Sequence, residues 1–190
     1  MRLAAALALA LSFLPAGRGA AAPDSALKER EALVERVIGG WPSPSRKAAR
    51  AVMDKYGPPH MITHKCLVWI GNGQWKGTLV YRAGALASPP GVERRALRQF
   101  VSYRVPPDKL AALARFGGGV SVDPIRGELA AESDSEEENF LALNMADEVV
   151  SGRRQPEEAR ALYARTLSLA LSGKSSPAMS RLQFDTGRSP

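Results

Sequence analysis

The feature that most constrains this chain is a turn. Gly71-Asn72-Gly73 stands between an apolar run, residues 65–70, and an alternating run, residues 75–82. Glycine and asparagine accept positive φ most cheaply, so this triplet between two β-type runs predicts an antiparallel hairpin. In the return strand Trp75, Leu79 and Tyr81 are expected on one face and Lys76, Thr78 and Arg82 on the other. A third strand is expected with Val101, Tyr103 and Val105 on one face and Arg98, Ser102 and Arg104 opposite, followed by short strands at 120–122 and 128–132.

Helical segments flank this region. Residues 24–38 read as a charged helix ended by Gly39-Gly40. In the next, Ser43 is expected as N-cap, Pro44 takes the first helical position and Gly57 stands just past the end. Pro106-Pro107 opens a short helix that Gly117-Gly118-Gly119 stops, Ser135 and Glu138 have capping-box spacing, and Pro156 starts a last helix running to Leu171. A meander of strands interrupted by one helix, with more helices at both chain ends, implies an α+β fold: an antiparallel sheet of about five strands with helices packed on one face and at both chain ends.

Cys66 is the only cysteine, so no internal disulfide can form and the core alone must hold the domain. That domain is expected over residues 23–173. From Lys174 onward Ser, Gly and Pro dominate, which predicts a flexible tail over 174–190.

Residues 1–22 read as a signal peptide: Met1-Arg2, an apolar run from Leu3 to Leu14, then Pro15-Ala16-Gly17 and small residues to Ala22. The run is shorter than the roughly 20 apolar residues a bilayer span requires, so no transmembrane segment is expected after cleavage. The expected location is periplasmic or secreted.

The formal net charge of +7 is uneven, with a basic excess up to Arg126 and an acidic excess after it. Lys76, Arg82, Arg98 and Arg104 are the candidate binding residues, on a basic sheet face turned to an anionic envelope component or another envelope protein. The arginines are scattered and no nucleic-acid motif accompanies them, so a nucleic-acid partner is not expected. His60, His64 and Cys66 fall within seven residues and share parity in an extended segment. They are read as packing and loop residues, with Cys66 a small core hydrophobe beside Val68 and Ile70. The alternative is a metal-binding or thiol-dependent protein built on His60, His64 and Cys66, which Glu128 could join; a structural zinc normally takes four ligands. The acidic run 132–138 is read as acids at a helix N-terminus. No Gly-x-Ser-x-Gly and no Walker-type loop occurs. Binding rather than catalysis is expected, with no cofactor and no metal.

Several segments also carry a resemblance: 51–59 (Ala-Val-Met-Asp-Lys-Tyr-Gly-Pro-Pro), Leu67-Val68-Trp69, Trp75-Lys76, Val80-Tyr81-Arg82, 103–107 (Tyr-Arg-Val-Pro-Pro), Gly127-Glu128-Leu129 and 139–146 (Asn-Phe-Leu-Ala-Leu-Asn-Met-Ala). Over residues 45–165 the chain resembles an uncharacterised family of exported bacterial α+β proteins, which implies no activity, cofactor or catalytic residue. Tyr56-Gly57-Pro58-Pro59 followed by Trp69 is also similar to a short pattern in small outer-membrane assembly lipoproteins.

Overall fold

The computed structural model describes residues 23–83 and 95–186; the expected leader and most of the loop after the second hairpin strand lie outside them. The chain is α+β. Helices α1 (Pro23–Ile38) and α2 (Ser43–Tyr56) come first, then strands β1 (Met61–Ile62), β2 (Cys66–Ile70), β3 (Gly77–Tyr81) and β4 (Leu97–Ser102). A 3-10 turn, Pro107–Lys109, leads into α3 (Leu110–Phe116), β5 (Val120–Asp123) and β6 (Glu128–Ser133), and α4 (Glu136–Val150) and α5 (Pro156–Leu171) complete the body. The six strands form one antiparallel sheet in the order β1-β2-β3-β4-β6-β5. The strand that sequence reasoning missed is β1, too short to show an alternation.

Local signals account for most boundaries. Ser135 caps α4 by accepting a bond from Glu138 N at 3.3 Å, with Glu136, Glu137 and Glu138 in the first turn. Pro156 opens α5 at a position whose N–H has no helical acceptor. At α2 the expected boundary shifts by one: Pro42 precedes the helix, Ser43 is its first residue, and no side chain caps it. The β2–β3 connection spans 71–76 rather than forming a tight turn. Gly73 is left-handed at φ 58°, and a Cβ there would come within 2.9 Å of the Tyr56 ring, so glycine is required twice over.

One sheet face is covered. Leu67, Trp69, Thr78, Val80, Leu97, Gln99, Val101, Leu129 and Ala131 point into it, in registers such as Leu67↔Val80 and Gln99↔Ala131. α1 and α2 pack over its β2–β4 half, with Val34, Ile38, Trp41, Ala49 and Val52 against Leu67, Trp69, Val80 and Leu97. α4 packs over the β4–β6 half and is itself covered by α3 and α5, so it is buried along most of its length. Tyr56 touches both apolar clusters.

The expected alternation in β3 is corrected. Thr78 faces the helices, while Leu79 and Tyr81 lie on the open face with Arg98 and Phe100. Trp75 is buried because it precedes the strand and folds under the connection, so its parity does not set that of β3.

The flexible-tail expectation is also corrected for residues 174–186. A 3-10 turn, Pro177–Met179, leads to Leu182, only 5% exposed, and Phe184 packs edge-on against Tyr103 at 5.1 Å. Asn144 of α4 holds this segment with three bonds: its Nδ2 donates to Ala178 O and Arg181 O, and its Oδ1 accepts from Gln183 N, each at 2.8 Å. Polar side chains of the body hold the backbone of this segment, and Leu182 and Phe184 supply its apolar contacts. The domain therefore extends to Thr186.

Candidate functional site

The helices over the sheet meet above a polar seam. Thr78 and Gln99 are fully buried and face the helices beside Asn72 and Asn139. Asn72 Nδ2 and Gln99 Nε2 donate to Thr78 Oγ1 at 3.0 and 3.3 Å, and Asn139 Nδ2 donates to Gln99 Oε1 at 3.0 Å. Above them Glu136, the first residue of α4, accepts on Oε1 from Trp75 Nε1 at 2.5 Å, Tyr56 Oη at 2.6 Å and Gln99 Nε2 at 3.2 Å. Lys55 binds its Oε2. A single carboxylate thus ties α2, the β2–β3 connection, β4 and α4 together.

The electrostatics follow from this saturation. Burial acts to raise the Glu136 carboxyl, but the bonds from Lys55, Tyr56 and Trp75 outweigh it and hold the group below its ordinary value. Burial and the Glu136 charge push the Tyr56 phenol up to about 12. Burial works against the Lys55 charge, yet contact with Glu136 raises its value overall. The seam retains two costs, for the side-chain oxygens of Asn72 and Asn139 accept no hydrogen bond among the described residues. A buried acceptor left unpaired costs about 1–3 kcal/mol.

Beside this seam, between α2 and the start of α4, lies a cleft of about 320 Å³. Ala48, Ala51, Val52 and Leu97 supply its apolar surface. Lys47 and Lys55 stand on the α2 wall and Asp134, Ser135, Glu136 and Glu137 on the other. Lys55 is engaged by Glu136 and Asp134 by Arg95, whereas Lys47 and Glu137 make no ion pair among the described residues. The cleft therefore offers an apolar surface with one uncommitted charge of each sign on opposite walls.

The candidates from sequence fall elsewhere. Lys76 and Arg98 do reach the open sheet face, but each meets a glutamate there: Lys76 Nζ lies 2.7 Å from Glu128 Oε1 and Arg98 Nη1 2.8 Å from Glu132 Oε1. The Arg98↔Glu132 register makes the second pair a direct cross-strand contact. Arg82 and Arg104 are exposed just beyond the ends of β3 and β4, with Arg82 at the inward parity of Val80. The four cations do not form the expected basic face: Lys76 and Arg98 are paired with glutamates of β6, and Arg82 and Arg104 lie beyond the strand ends.

His60, His64 and Cys66 are separated by a chain reversal. β1 and β2 pair antiparallel, with Thr63 accepting from Cys66 N at 2.9 Å across the turn. His60 lies at the far end, where its Nδ1 accepts from Ile70 N at 3.1 Å, while His64 is in the turn itself, where its carbonyl accepts from Trp41 Nε1 at 3.2 Å. Cys66 takes the open face with Val68 rather than the core, and burial pushes its thiol up to about 11. Among the described residues no group of three or more His, Cys, Asp or Glu is placed to hold a metal ion. Sequence reasoning placed Glu136 in the first turn of a helix but had no signal for its partners, which come from three distant elements.

No family model, no curated protein and no solved structure matches this chain.

Proposed function

We propose that this chain is an exported binding protein of the cell envelope, non-catalytic, whose site is the cleft between α2 and α4. The observation that carries the reading is the coincidence of that cleft with the buried polar seam. A fold retains a costly polar network where it holds a functional surface in shape, and here Glu136 fixes both walls at once. The leader-like residues 1–22 support the location. With Lys47 and Glu137 on opposite walls of an apolar cleft, the ligand that fits is a small zwitterion with an apolar body, such as an apolar amino acid or a short peptide.

The test is a titration of the mature protein with the dipeptide Leu-Leu, with isovalerate and isoamylamine as singly charged comparisons, followed by backbone amide NMR. Saturable shifts at Ala51 and Leu97 with the dipeptide, weaker with either half-charged analogue, are expected. Ala51 is exposed on α2, so Ala51→Trp fills the cleft from outside the core and should abolish them. Binding that survives Ala51→Trp, or the absence of a saturable response to any of the three probes, overturns the reading.

A further inference from the structure

The surface that begins in the α2/α4 cleft continues past Glu137. That side chain also lines a second cavity, of about 260 Å³, between the start of α4 and the chain that follows α5, together with Lys174, Ser175, Ser176, Met179 and Ser180. Glu137 is exposed and is common to the two cavities.

Local hydrogen bonds hold the walls of this second cavity. α5 ends in a Schellman turn, in which Gly173, left-handed at φ 80°, donates from N to Ala170 O at 2.9 Å and Lys174 N donates to Leu169 O at 3.1 Å. The backbone that carries the Lys174 side chain is therefore fixed. The Pro177–Met179 turn that follows is tied to α4, because Asn144 Nδ2 donates to Ala178 O at 2.8 Å.

The groups presented there are mainly donors. Lys174 makes no ion pair among the described residues, and its ammonium and the three serine hydroxyls can all donate, while Glu137 is the one acid among the lining residues. With a dipeptide in the α2/α4 cleft, its carboxylate at Lys47 and its ammonium at Glu137, the first side chain leaves the same carbon that bears the ammonium. It therefore starts at Glu137, where the second cavity opens. The uncommitted charges along this path run Lys47, Glu137, Lys174, and the ligand complementary to them carries a negative, a positive and a second negative group. Resting on that reading of the cleft, we infer that the second cavity is a subsite for the first side chain of the ligand, with Lys174 its specificity-determining residue, and that the ligand class is a dipeptide with an acidic residue first and an apolar residue second. The contact between Lys174 and the acidic side chain is solvent-exposed, so it is worth about twofold to fivefold in affinity.

The experiment compares Glu-Leu with its uncharged isostere Gln-Leu and with Leu-Leu, each titrated at pH 7 into the mature protein and into its Lys174→Gln variant and followed by backbone amide NMR. Lys174 is exposed, so its replacement leaves the fold intact. In the parent, Glu-Leu should shift Ser176 as well as Ala51 and Leu97, with a dissociation constant about two to five times lower than that of Gln-Leu. The difference should shrink as salt is raised from about 0.01 M to about 0.15 M, and Lys174→Gln should abolish it. Equal dissociation constants for Glu-Leu and Gln-Leu in the parent, or a preference that survives Lys174→Gln, overturns the subsite. If Leu-Leu still saturates at Ala51 and Leu97, the reading of the cleft stands without it. Shifts at Ser176 with none at Ala51 would put Glu-Leu in the second cavity alone and overturn the spanning arrangement. No saturable response to any of the three dipeptides overturns both readings together.

Discussion

At the scale of single residues, Glu136 and Cys66 show how environment overrides residue type. Glu136 has its carboxyl held below the ordinary 4.5 by its donors. A depressed folded value means that its contribution to stability is complete above the unfolded value and is lost as pH falls through the lower folded value. Glu136→Gln retains an acceptor for Tyr56 and Trp75 but loses the charge opposite Lys55, and should cost about 1–3 kcal/mol at pH 7. Urea titrations at pH 7 and pH 3 check this, since the penalty should shrink at the lower pH. A constant difference at both pH values would mean that the charge is not what matters. Cys66 makes the opposite prediction. With its thiol pushed up to about 11, almost no thiolate exists at pH 8, and a disulfide reagent should label it slowly. The rate should climb as pH rises towards that value; rapid labelling of native protein at pH 8 would contradict the burial argument.

At the scale of elements, α4 organises the molecule. Its sheet side carries Asn139, its first turn carries Glu136, and Asn144 and Asp147 farther along hold the C-terminal segment and Tyr103. The segment is therefore a stabilising element. Leu182→Ala should cost roughly 2 kcal/mol, the lower end for a buried leucine, because the socket lies where a terminal segment can readjust. Chemical denaturation measures this directly. A change indistinguishable from zero would return the segment to the loose tail that its composition suggests. The exposed pairs Arg50–Glu35 and Arg95–Asp134 contribute little by comparison, since surface ion pairs are typically worth under about 1 kcal/mol.

At the scale of the whole molecule, a net charge of +7 does not by itself make a basic binding face. Lys76 and Arg98 are neutralised at short range by Glu128 and Glu132, so their field falls off quickly. Any adsorption to anionic phospholipid vesicles at low salt should therefore be unchanged in the double variant Lys76→Gln, Arg98→Gln. A clear drop in a vesicle sedimentation assay would restore the sheet face as a binding surface. What the amino-acid sequence determined by itself was everything encoded within a few residues: Pro156 and Ser135 opening helices, Gly57 and Gly173 following their ends, the β2–β3 hairpin, and hence the α+β class. Those signals are local sterics and hydrogen bonds, legible wherever the chain is read. Only the tertiary structure decided which face of β3 is inward, that β6 sets Glu132 against Arg98, that three distant elements converge on Glu136, and that a polar tail is bound by Asn144. The physical reason is range: each joins residues tens of positions apart, and alternation along one strand carries no information about which strand will lie beside it.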